Sequence, residues 1–338
     1  MRKEYDFSKG TRGKHVGKRL RIVGDNAVPL VVPKGTLSKH FKVITPEEEQ
    51  ELEARPEKTP AALDPNDEYC KAIRALSALV HHWMMRQPAV GEESITDWLL
   101  FEVSERLPQV RYYKFNRFEE ARVSGADWDW WFLGNRVSMG WRVQAKKLKK
   151  DADNYADIAR ANRFGLQVEK LLESSEAENL LPFYSLYYAS TSPPGVKCKG
   201  GIGMQAGEGV FLAGARTVYE SFVSKGRRKV DADSVLAVGN PLHCLFCCPI
   251  GFTKNGAVEG LHRYVLEYYG DAMSDTGVNP NQRLGLHAEL PVHVRSLLET
   301  PAGEMTESYE REFSRLTQQT DAILVFDFRE ESSVERNN

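Results

Sequence analysis

No stretch of this chain of 338 residues comes near the ~18 consecutive apolar residues that a membrane-spanning helix needs. The N-terminus lacks the apolar core of a secretory signal. Cysteine is scarce, with five residues at no regular spacing, which argues against a disulfide scaffold and for a reducing compartment. There is no internal repeat. Gly200-Gly201-Ile202-Gly203 has neither the spacing nor the following lysine of a phosphate loop. These absences exclude a membrane protein, a disulfide-stapled scaffold, a solenoid and a P-loop enzyme, and the expectation is a cytoplasmic protein without a membrane partner.

What is present suits a globular protein with a substantial core, since 41% of residues are hydrophobic and 27% charged. The net charge of −2 hides an asymmetry. Residues 1–21 carry eight Lys or Arg against Glu4 and Asp6, so residues 1–45 read as a basic arm with one short strand at Pro29–Val32. Such an arm is either a phosphate-engaging segment or a solvated tail. Residues 46–67 are acidic and proline-containing and read as a linker.

From Glu68 the pattern changes. Apolar residues at helical spacing predict a helix over about 68–85, and a second over about 92–106 with Glu92 and Glu93 in its first turn and Ile95, Trp98, Leu99 and Val103 on its buried stripe. Two strands follow, then a long amphipathic helix over Asp153–Ser174 and a buried aromatic strand at Leu181–Tyr188. Further helices are expected near 208–224, 257–269 and 289–299, with an apolar run at Leu242–Ile250 and a last strand at Ala322–Phe326. The order helix, strand, strand, helix, strand indicates a mixed α/β layer structure. The domain is expected to span 68–330, with its core at about 85–250 and a helical elaboration over 251–330.

The two strands carry the chemistry. In Ser124-Gly125-Ala126-Asp127-Trp128-Asp129-Trp130-Trp131-Phe132, alternation sends Asp127 and Asp129 to one face and Trp128, Trp130 and Phe132 to the other. In Arg142-Val143-Gln144-Ala145-Lys146-Lys147-Leu148, Gln144 and Lys146 share a face. Paired through the turn-like Leu133-Gly134-Asn135, the strands bring two carboxylates, an amide and an ammonium to one sheet edge. Two neighbouring carboxylates repel unless a cation lies between them, and Mg²⁺ favours one or two carboxylates with water and substrate oxygens. Gln144 offers a neutral oxygen, and Lys146 can orient water or stabilise charge on a phosphodiester. A carboxylate from the preceding helix would complete the set; Glu93 is the first choice, with Glu92 and Asp97 as rivals.

An Asp, a hairpin and Gln-x-Lys, preceded by a helical Glu, resemble the PD-(D/E)XK nuclease superfamily in its variant with Gln in place of the second acid. Gly125-Ala126-Asp127-Trp128 and Val143-Gln144-Ala145-Lys146 are similar to signatures of a group of uncharacterised bacterial proteins. The resemblance implies a restriction-endonuclease-like core, with a central mixed sheet flanked by helices. It also implies cleavage of nucleic acid, DNA in preference to RNA, with Mg²⁺ or Mn²⁺. Asp127, Gln144, Lys146 and Glu93 would be catalytic, and Asp127, Asp129, Gln144 and Glu93 would hold the metal. Separately, Glu4–Lys14 resembles a tag on small bacterial toxin–antitoxin proteins, which implies a defence setting and a regulatory partner. The rival expectation is an inactive nuclease fold that binds, or regulates as an antitoxin does, through the arm.

Lys147, Lys149 and Lys150 are candidates for holding backbone phosphates, and Trp131, on the acidic face, for stacking on an unpaired base. The Cys244-x-x-Cys247 pair, with His243 and Cys198, sits in an apolar run, which favours buried thiols over a structural zinc. His81 and His82 read as part of a helix face.

Overall fold

The computed structural model describes residues 68–107, 109–115, 124–149, 153–162, 165–191, 194, 207–248, 257–270, 285–299 and 320–329. The basic arm, the acidic linker, Lys150 and Cys198 lie outside them.

Helices α1 (Glu68–Arg86) and α2 (Glu92–Arg106) form where the apolar spacing predicts them. Ile73, Leu76, Val80 and Met84 of α1, and Ile95, Leu99 and Val103 of α2, are buried in one core cluster. Strand β1 (Val110–Lys114) comes next, then β2 (Trp128–Leu133) and β3 (Ser138–Lys147). Helix α3 (Gln167–Ala177) leads to β4 (Leu181–Tyr187), followed by β5 (Val210–Gly214), β6 (Gly239–Pro241), helix α4 (Ala257–Tyr269), β7 (Leu286–His287), helix α5 (Val292–Glu299) and β8 (Ala322–Asp327). The strands form one eight-stranded mixed sheet in the order β1-β8-β2-β3-β4-β5-β6, with β7 on β3. Helices flank it.

β2 and β3 are an antiparallel hairpin in which Trp128 lies opposite Val143, and Asp129 opposite Arg142. Both faces of β2 are covered. Trp128, Trp130 and Phe132 join the α1–α2 core, while Trp131 and Leu133 join a second cluster with Val294 and Leu297 of α5. Lying parallel to β2, β8 separates it from β1. The segment expected to be a helical elaboration therefore contributes a strand to the interior of the sheet, second from its edge.

Three sequence expectations need correction. The helix expected over Asp153–Ser174 starts only at Gln167; before it come two short strand segments and a turn of 3-10 helix. Asp153 and Gly165 have φ of 44° and 108°, a left-handed backbone that ends any α-helix. Residues 210–214 are strand, because they pair with β4, and the chain turns helical only at Ala215. Finally, Cys70 of α1 and Cys247 form a disulfide, where the sequence suggested free thiols throughout. Cys244 and Cys248 are buried and take no part in this disulfide.

Beside that disulfide, Ser77, Glu208 and His243 are fully enclosed. Ser77 Oγ donates to Glu208 and accepts from the amides of Gly209 and Val210 at 3.1 and 3.0 Å. His243 Nδ1 lies 3.0 Å from the other Glu208 oxygen. With no exposure, this set pins α1 to the start of β5.

Candidate active site

Asp127 stands immediately before β2. The chain reaches it through Gly125, whose φ is +71° and where a Cβ would lie 2.4 Å from the carbonyl oxygen of Gln167 at the start of α3. Only glycine lets the backbone pass so close to that helix end. The Ala126 amide donates to Ser124 Oγ at 3.1 Å, and the Asp127 amide to Val143 O at 2.8 Å. One Asp127 oxygen accepts from the Gln144 side-chain amide and, at 2.7 Å, from the Ala145 amide.

Lys146 is only 3% exposed. Its ammonium donates to Gln167 Oε1 at 3.2 Å and lies 4.0 Å from Glu92 Oε1. The other Glu92 oxygen accepts from the Lys147 amide at 2.8 Å. Burial pushes the Glu92 carboxyl up to about 7 and the Asp127 charge adds to the rise, while Lys146 and the Lys147 amide oppose it. Glu92, Glu93, Thr96, Asp97, Asp127, Asp321, Ala322 and Lys114 line a narrow cleft of about 10 Å³, roughly the space one water occupies.

The chain belongs to DUF6615. This family of unknown function matches residues 69–331. No curated protein and no solved structure matches the chain.

In this DUF6615 chain Asp127, Gln144 and Lys146 share one end of the hairpin, as their spacing predicts. The helical carboxylate that meets Lys146 is Glu92, with Glu93 exposed and lining the cleft. The sequence held a signal for this, since Glu92, Thr96, Leu99 and Val103 follow one helical stripe and the last three are buried. Glu93 lies about 100° round the helix from Glu92.

Asp129, expected to assist at a metal, is taken up by Arg142. The guanidinium donates through Nε and Nη2 to both Asp129 oxygens, at 3.0 and 2.9 Å, and also binds Glu178 and Ser174 O. Arg142 shares a strand face with Gln144 and Lys146 and lies opposite Asp129, so the alternation that selected Asp129 also contained its partner.

The expected nucleic-acid contacts fare differently from one another. Trp131 is buried, with its ring centroid 5.0 Å from that of His287 and 6.2 Å from that of His293, so its faces are already taken. Lys147 donates to the carbonyls of Pro88 and Val90, both at 2.6 Å, which ties down the turn before α2 and so aims Glu92. Lys149 is on the surface, 3.2 Å from Asp157.

Among the described residues, no three His, Cys, Asp or Glu side chains form a cage for a metal. Mg²⁺ does not require one, since it is held by one or two carboxylates with water and substrate phosphates. Gln144 also suits such an ion, because its Oε1 is buried and accepts no hydrogen bond among the described residues.

Proposed function

We propose that the chain is a metal-dependent nuclease with a restriction-endonuclease-like core. The observation that carries this reading is the convergence of Asp127, Gln144, Lys146 and Glu92 where β2, β3 and α2 meet. The central mixed sheet flanked by helices supports this reading at the level of architecture.

Asp127 and Gln144 Oε1 would hold Mg²⁺ or Mn²⁺, with a cleft carboxylate assisting. A bound ion would supply a water of lowered pKa and neutralise charge on the phosphoryl oxygens. Lys146, enclosed and held by Gln167, would supply a fixed positive charge to the equatorial oxygens on which negative charge builds in the pentacoordinate transition state. Glu92 Oε1, beside that ammonium and with a carboxyl near 7, suits accepting a proton from the attacking water. The product ends would be a phosphate monoester and a hydroxyl.

The cleft's carboxylates repel a polyanion at long range unless a cation is bound, so substrate and metal should bind together. DNA is the preferred substrate and RNA the alternative. The test is cleavage of plasmid, single-stranded DNA and total RNA with Mg²⁺ or Mn²⁺. The rival, a nuclease-fold protein that only binds, predicts retained nucleic-acid binding with no cleavage under any of these conditions.

A further inference from the structure

We propose that Asp321, at the head of β8, supplies the second metal-binding carboxylate of this site; the inference rests on the nuclease reading. The hairpin alone is short of negative charge. Gln144 is neutral, and Asp129 spends both oxygens on Arg142. Of the acids on α2, Asp97 lies 2.5 Å from Lys114, and Glu92 is engaged by Lys146 and the Lys147 amide.

β8 fills this gap through its register. It runs parallel to β2 with Ala322 beside Trp128, which sets Asp321 beside Asp127. The Asp321 amide donates to Asp127 O at 3.0 Å, fixing the two residues side by side. Both line the same cleft. Two adjacent carboxylates in a narrow cleft raise each other's cost of ionisation unless a cation is shared.

A second observation points to a cation rather than to simple acidity. The Gln144 side chain is 2% exposed and lies against the Asp127 carboxylate, and its Oε1 accepts no hydrogen bond among the described residues. A buried amide oxygen held against the Asp127 carboxylate, with Asp321 next to Asp127 in the cleft, makes a hard donor set of the type Mg²⁺ and Mn²⁺ take. A strand from the far end of the sequence thus restores the acid that Gln144 replaces.

The test is Mn²⁺ binding to the full chain without nucleic acid, followed by calorimetry and by the rise in unfolding temperature that binding produces. Asp321→Asn keeps the side chain's size and leaves its backbone bonds intact, so it should fold as wild type does. The expected result is Mn²⁺ affinity weakened by about tenfold or more in Asp321→Asn and in Asp127→Asn, with Glu105→Gln, an exposed acid at the far end of α2, close to wild type. If Asp127→Asn loses binding and Asp321→Asn does not, the role of Asp321 is overturned and the nuclease reading stands. If the wild type binds no Mn²⁺, both are overturned.

Discussion

Arg142 and Asp129 face each other across β2 and β3 and close a two-point ion pair at zero and 1% side-chain exposure. Removing one partner strands a buried charge, which typically costs about 3–5 kcal/mol. Asp129→Asn and Arg142→Met should therefore lower stability by more than Asp127→Asn does, as read from urea midpoints. Equal, small losses in all three would show that the pair does not hold the hairpin together.

Glu92 gives a pH signature. Its carboxyl titrates near 7 in the folded chain against an ordinary value of 4.5. The native state thus binds this proton more tightly than the unfolded state, so stability falls as pH rises from about 4.5 to about 7. Glu92→Gln removes that slope. Metal-free wild type compared with the variant by chemical denaturation should lose relative stability across this window; parallel curves would contradict the assignment.

The Cys70–Cys247 bond closes a loop of sequence separation 177 between α1 and the helical turn at Cys244–Cys247. Chain-entropy reasoning sets an upper figure of about 5 kcal/mol for that span, and such cross-links typically contribute about 2–4 kcal/mol. Unfolding with and without dithiothreitol should differ by about this amount, and Cys70→Ser should abolish the difference. A fully reduced native mass would show that the bond does not form.

Gly125→Ala should be costly although it adds one methyl group. The site combines a positive φ with a 2.4 Å approach to Gln167 O, and both the strain and the clash act where Asp127 and Gln167 are placed. The expected change is a loss of stability of about 1–3 kcal/mol together with weaker Mn²⁺ binding. An alanine variant of wild-type stability would show that this approach is not rigid.

Local pattern carried much of this structure. Helices α1 and α2, the hairpin and the pairing of the Asp127 and Lys146 strands follow from spacing and alternation. Glu92 and Arg142 were also legible, one on the buried stripe of α2 and the other opposite Asp129. Long-range pairing left no such trace. Nothing around Asp321 indicates that β8 enters between β1 and β2, and nothing in the separate surroundings of Cys70 and Cys247 shows that they meet. The helix expected over Asp153–Ser174 failed because its apolar spacing outweighed Gly165, which needs a left-handed backbone.

Cleavage by wild type and Lys146→Ala decides the matter most directly. Both would be incubated with plasmid, single-stranded DNA and total RNA in Mg²⁺ or Mn²⁺, with EDTA as control and circular dichroism to check the fold. We expect nicking by wild type that EDTA stops and that falls by at least about a hundredfold in Lys146→Ala, on the scale of losing one charge-stabilising donor. Folded wild type that cuts none of these substrates, or a Lys146→Ala variant that cuts as well as wild type, would contradict the proposed chemistry.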